Sequence, residues 1–197
     1  AAVELSGQLK ALATALMKIA NDLRWMNSGP LAGLGEIELP PLQPGSSIMP
    51  GKVNPVMAEM TDMVAFQVIG ADTVVTMAAQ AGQLELNVMM PVIAYNLLFS
   101  LTILTNAVTK LATACVDGIV AHPDRCRQYL DDSLGLATVL APYIGYAAAA
   151  EVAKEAVRSG RSIRETVLSL GILTEKRLAE IMEPRALTMP GVPGENS

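Results

Sequence analysis

The residues of this chain best suited to chemistry lie together between Gly45 and Glu59, in the string GSSIMPGKVNPVMAE. Two glycines, two serines, two prolines, a lysine and an asparagine interrupt a sequence that elsewhere is mostly apolar. Asn54 followed by Pro55 predicts a helix start, with Asn54 as N-cap and proline at the first helical position. The free N–H groups of such a helix end attract anions. Lys52 stands just before that positive end, where a cation is unfavourable unless something negative compensates it. The pattern points to an anion held by Lys52, Asn54 and the helix terminus. Gly45 and Gly51 allow sharp turns, and Ser46 and Ser47 offer hydroxyls and exposed amides to a second anionic group. On spacing alone, an ordinary surface loop ahead of a capped helix explains the same residues.

The elements that must carry this loop read as helices. Ala1 to Asn27 has Leu9, Leu12, Leu16, Ile19 and Leu23 at helical spacing and stops at Ser28-Gly29-Pro30. A Pro/Gly-rich connection follows from Gly33 to Pro44, and its GLG lacks the strand and third glycine of a dinucleotide fingerprint. After the loop, a helix is expected from Pro55 to Ala81, then a charge-free run from Leu86 to Thr109 that is long enough to cross a bilayer. Asn87, Asn96, Ser100, Thr102, Thr105 and Asn106 are scattered round that run and would need partners inside lipid. A helix buried in a large assembly is the better reading, because a helix apolar on all faces must be covered. Past Asp117 the helices become shorter and more charged. Ser162 with Glu165 predicts a capping box, Gly160 and Gly171 helix ends, Thr174 an N-cap, and Pro190 to Ser197 a loose tail. The fold class expected is all-α: a long-helix bundle over 1–121 and a small helical domain over 122–197.

Composition narrows the function classes. The chain has 197 residues, 51% hydrophobic and 17% charged, with only 4% aromatic, the palette of packed helices. Its net charge of -5 and the absence of clustered Lys and Arg argue against a nucleic-acid or membrane surface. Cys115 and Cys126 lack metal-ligand spacing, no secretory segment is evident, and a reducing cytoplasm is the compartment expected. Neither a metal nor a cofactor is called for.

The string GSSIMPGKVNP resembles the signature loop of the fumarase/aspartase superfamily, whose members add or eliminate a group across the double bond of fumarate. The likeness extends through KIANDLRWMNSGP (Lys18 to Pro30), VAFQVIGADTVVTMAAQAGQLELNVMMP (Val64 to Pro91) and IGYAAAAEVAKEA (Ile144 to Ala156). It covers nearly the whole chain, which looks like less than half of a family subunit: the end of the central helical domain and the C-terminal domain. Within the family, VTMAAQA, GQLELN (Gly82 to Asn87) and the ending LTMPG (Leu187 to Gly191) are more similar to aspartate ammonia-lyases. Class II fumarases usually carry GNFELN and are the next reading.

The resemblance implies roles residue by residue. Ser46 matches the general base that takes the proton from Cβ of aspartate, and Ser47 the residue that binds the adjacent β-carboxylate. Lys52 and Asn54 match the residues that hold the α-carboxylate, in agreement with the anion site read from the loop. Glu59 matches the acid that pairs with a substrate-contacting histidine, although a solvated first-turn glutamate is an equally ordinary reading. His122, the only histidine, precedes Pro123 and reads as a helix-start residue rather than a catalytic one. The resemblance also implies a homotetramer whose active sites are shared between subunits, a small dicarboxylate substrate (L-aspartate or fumarate), and no turnover by this chain alone. A non-catalytic oligomerising fragment is the alternative from another class.

Overall fold

The computed structural model describes residues 1–43, 45 and 48–194; Ser46 and Ser47 of the loop fall outside the described residues. Among the described residues the chain is all-α, with nine α-helices and one short two-stranded ladder. It forms two compact units, Ala1–His122 and Pro123–Ser197.

The first unit is built on α1 (Ala2–Met26), α2 (Val56–Gln80) and α3 (Met90–Ala114). The middle helix packs along both others, which meet each other far less. Its buried positions, Ala58, Thr61, Asp62, Ala65, Val68, Ala71, Asp72, Val75 and Ala78, recur mainly every three or four residues and form one stripe. Alanines at 13, 20, 58 and 65 are wholly buried, and their small side chains let α1 and α2 approach closely.

Two aspartates lie in that stripe, where an unpaired carboxylate would be costly. Both are met from α1. Asp72 accepts hydrogen bonds from Ser6 Oγ at 2.8 Å and Lys10 Nζ at 2.5 Å, and these partners hold its carboxyl below the usual range. Asp62 accepts from Asn21 Nδ2 at 3.2 Å and from Arg24 Nη1 at 2.9 Å. Early residues of α1 thus meet late residues of α2, so the pair is antiparallel.

The third helix differs from the expected span, starting four residues later and running to Ala114. Gln83 and Leu86 exchange backbone hydrogen bonds of 2.8 and 3.0 Å in a tight turn, with Leu84 at φ +50°. Asn87 then donates to the carbonyls of Ala78 and Ala79 and accepts from the Met89 N–H. A side chain that closes one helix and starts the next is what holds Leu86 to Met89 out of helix. Asn96, Thr102 and Thr109 each bond the carbonyl four residues back in their own helix. By length and composition alone, α2 and α3 could each cross a membrane, and both leave apolar side chains exposed, among them Phe66, Met77, Tyr95 and Leu98.

The connection read as irregular contains β1 (Ile37–Glu38), which pairs antiparallel with β2 (Val120–Ala121). Two residues are too few to show strand alternation in sequence. Upstream, Ser28 ties this segment to α1: its hydroxyl donates to Trp25 O at 2.6 Å and accepts from Leu34 N–H at 3.0 Å.

The second unit comprises α4 (Pro123–Asp131), α5 (Leu136–Ile144), α6 (Tyr146–Ser159), α7 (Ile163–Ser169), α8 (Glu175–Ile181) and α9 (Pro184–Leu187). Leu140, Val152, Ile163, Val167, Leu178 and Ile181 form its fully buried core. The Ser162–Glu165 capping box is present, and Thr174 caps α8 through the Arg177 N–H. Gly160 and Gly171 both adopt positive φ at helix ends. The tail expected to be loose is tied as far as Gly194: the Tyr143 hydroxyl donates to Pro193 O, and Arg177 donates to Gly194 O at 2.9 Å.

Candidate active site

The last turns of α1, the loop and the first turn of α2 meet at one end of the antiparallel pair. The helix start corrects one sequence expectation. Pro55, not Asn54, occupies the N-cap, and the helix begins at Val56. A residue before proline is pushed away from helical geometry, which keeps Asn54 outside the helix. The Val56 N–H bonds the Asn54 carbonyl at 2.9 Å, and the Asn54 side chain caps nothing. Its amide is left for another partner. Glu59 N–H makes the first intrahelical bond, to Pro55 O at 3.1 Å, so the amides of Met57 and Ala58 have no intrahelical acceptor.

Lys52, Asn54 and Glu59 line one cavity of about 490 Å³, together with Asn21, Arg24 and Trp25. Among the described residues, the Lys52, Asn54 and Glu59 side chains have no hydrogen-bond or ion-pair partner. A cation, an amide and a carboxylate of this kind, converging on one cleft beside a helix N-terminus, are equipped to bind and orient a small polar anion. Asp62 behind the wall fixes the Arg24 guanidinium, and Asn21 Oδ1 accepts from the same nitrogen at 3.1 Å.

Loop closure depends on glycine. A Cβ at Gly45 would lie 1.1 Å from the Lys52 carbonyl oxygen, so the two limbs of the loop meet there with no room for a side chain. Gly51 adopts φ +79°, which glycine alone takes without strain.

Lys52 also borders a second cavity of about 620 Å³, walled by Asn27, Glu38, Met49 and His122. The His122 N–H donates to Glu36 O, and its Nδ1 lies 2.9 Å from Gly35 O. A carbonyl only accepts, so Nδ1 carries the proton; Nε2 lies 3.8 Å from Glu38. His122 therefore does more than start a helix: it fastens the connection beside the loop.

The structure thus brings together three of the five residues singled out, Lys52, Asn54 and Glu59, while Ser46 and Ser47 lie outside the described residues. Sequence reasoning missed Asn21, Arg24 and Asp62. Their signal was a carboxylate on the apolar stripe of α2, with Asn21 and Arg24 one turn apart on α1 to answer it.

Family models and known proteins match this chain. A family model described as lyase matches residues 1–70, and one described as fumarase C C-terminus matches residues 136–189. An aspartate ammonia-lyase from Bacillus sp is 51% identical over 191 residues, 97% of this chain and 41% of that protein. A class II fumarate hydratase from Xylella fastidiosa is 56% identical over 190 residues, 96% of this chain and 40% of that protein. The chain belongs to the fumarase/aspartase superfamily. A solved fumarate lyase:delta crystallin from Brucella melitensis, bound to cobalt, superposes with a TM-score of 0.89 at 52% identity, over 96% of this chain and 41% of that one. The chain spans about 40% of the length of the superfamily relatives it matches. Those relatives carry both activities at similar identity, so membership in the superfamily supports lyase chemistry without choosing the leaving group.

Proposed function

We propose that this chain is the C-terminal portion of an aspartate ammonia-lyase subunit, which reversibly eliminates ammonia from L-aspartate to give fumarate. The observation that carries the reading is the unpartnered set Lys52, Asn54 and Glu59 around one cavity, within the superfamily's signature loop. In this reading Lys52 and Asn54 hold the α-carboxylate, Ser47 binds the β-carboxylate, and Ser46 takes the proton from Cβ. A proton beside a carboxylate is a poor acid, so its removal requires donors placed where the enediolate charge develops. The Cα–N bond then breaks, its electron pair leaves with nitrogen, and ammonia departs as the double bond of fumarate forms. Glu59 serves through a histidine supplied outside this chain. The active enzyme is a cytoplasmic homotetramer with sites shared between subunits, and this chain by itself does not turn over.

The choice of ammonia over water rests on Gln83 and Leu84 in GQLELN and on the LTMPG tail. Class II fumarase is the second reading, favoured by the 56% identity to the Xylella fastidiosa fumarate hydratase. Hydroxide is a poor leaving group and must be protonated as it departs, whereas an ammonium can leave as neutral ammonia. The deciding experiment is to assay the full-length subunit with L-aspartate and with malate, following fumarate absorbance. Aspartate deamination with slow or absent malate dehydration is expected. Efficient malate turnover without ammonia-dependent loss of fumarate would make it a class II fumarase.

A further inference from the structure

The cavity holds a second cation that the signature loop does not supply. Arg24 lines it from the last turn of α1, facing the same space as Lys52, Asn54 and Glu59. Only its Nη1 is engaged, donating to Asp62 Oδ2 at 2.9 Å and Asn21 Oδ1 at 3.1 Å. Among the described residues its Nε and Nη2 hydrogens meet no acceptor. The side chain is 40% exposed while that of Asp62 is 6% exposed, so the guanidinium is anchored on its buried edge and open on the other. A fork fixed in this way is set to receive a carboxylate, because little of its freedom remains to be lost on binding.

We propose that Arg24 is a substrate-binding residue that takes the second carboxylate of a four-carbon dicarboxylate, the first being held by Lys52 and Asn54. The assignment rests on the functional reading above. In addition to Ser47, which the functional reading places on that carboxylate, it brings a residue of α1 to a site otherwise read from the loop and the first turn of α2. Asp62 and Asn21 are then positioning residues that hold the guanidinium toward the cavity.

The test uses the full-length subunit in its native assembly and two non-reacting probes, succinate and butyrate, with binding measured by calorimetry. Arg24→Gln is expected to weaken succinate about 10- to 100-fold, the loss of one charge-assisted contact, while butyrate binding at Lys52 and Asn54 stays unchanged. Arg24→Lys should recover part of the succinate affinity. Equal weakening of both probes would make Arg24 only a structural tie between α1 and α2, and undiminished succinate binding by Arg24→Gln would remove it from the site. Both outcomes overturn the proposal. If the wild-type protein binds neither probe, the dicarboxylate reading itself fails, and this proposal with it. A parallel melting curve separates loss of the Arg24–Asp62 tie from loss of binding. Arg24→Gln should still bind butyrate as the wild type does even where its melting temperature falls.

Discussion

At the scale of single residues, the site is a set of polar groups left without internal partners. Lys52, Asn54 and Glu59 find none among the described residues, although Asp62 and Asp72 on the same helix are both satisfied. Polar groups of this kind, gathered on one cavity beside a helix N-terminus, are available to a ligand. Ser46 is the residue whose loss bears most directly on chemistry. In the full-length enzyme Ser46→Ala should lower kcat by about 10² or more, as expected for a missing proton-transfer group, with assembly unchanged. Steady-state kinetics check this, and near-normal turnover would remove Ser46 as the base.

At the scale of elements, two features set the site: the loop closure and the ties between α1 and α2. Because a Cβ at Gly45 would collide with the Lys52 carbonyl, Gly45→Ala must push the two limbs apart and displace Lys52. It should cost at least about tenfold in kcat/KM while leaving the melting temperature close to wild type, since none of the loop's described residues is buried in the core. Kinetics paired with calorimetry distinguish this from general unfolding. The Asp72 tie gives a pH signature. Its carboxyl is held low chiefly by the hydrogen bond from Lys10 and then by that from Ser6, against the opposing effect of burial. A depressed pKa in the folded state contributes stability that is fully present above the unfolded value, about 3.9, and is lost as pH falls through the folded one. The melting temperature of Asp72→Asn should therefore lie below wild type at neutral pH, and the gap should close with acidification below about pH 4. A gap independent of pH would mean that the carboxylate's charge is not what stabilises the pair.

At the scale of the molecule, the outer faces of α2 and α3 need covering. Tyr95 and Phe99 stack with ring centroids 5.8 Å apart, next to Leu98, on a helix that also presents Leu101 and Val108 to the outside. Surface of this kind belongs to an interface or a membrane rather than to water. In the proposed homotetramer, Leu98→Glu should place a charge in the subunit contact and shift the full-length protein toward smaller species, as read by light scattering with size-exclusion chromatography. An unchanged mass would put the contact on another face. Detergent-free recovery of the wild-type protein in the soluble fraction tests the membrane alternative at the same time.

The sequence by itself determined the helices and the identity of the loop. Helical spacing placed α1 and α2 within a residue or two of their ends, and the caps of α7 and α8 were readable because Ser162, Glu165 and Thr174 act through their own backbone neighbourhood. The string GSSIMPGKVNP marked Lys52 and Asn54 as candidate anion binders, while spacing alone left an ordinary surface loop as the other reading. Where a local rule met a competing one, sequence reading slipped: Asn54 lost the N-cap to Pro55, and Asn87 delayed α3 to Met90. Only the tertiary structure decided which residues of α1 face the loop. Arg24 and Asn21 lie 28 or more positions before Lys52 in the chain, and nothing local marks them as neighbours of the site. They arrive there because α1 and α2 run antiparallel, and because burying Asp62 demands a cation that only the facing helix can provide.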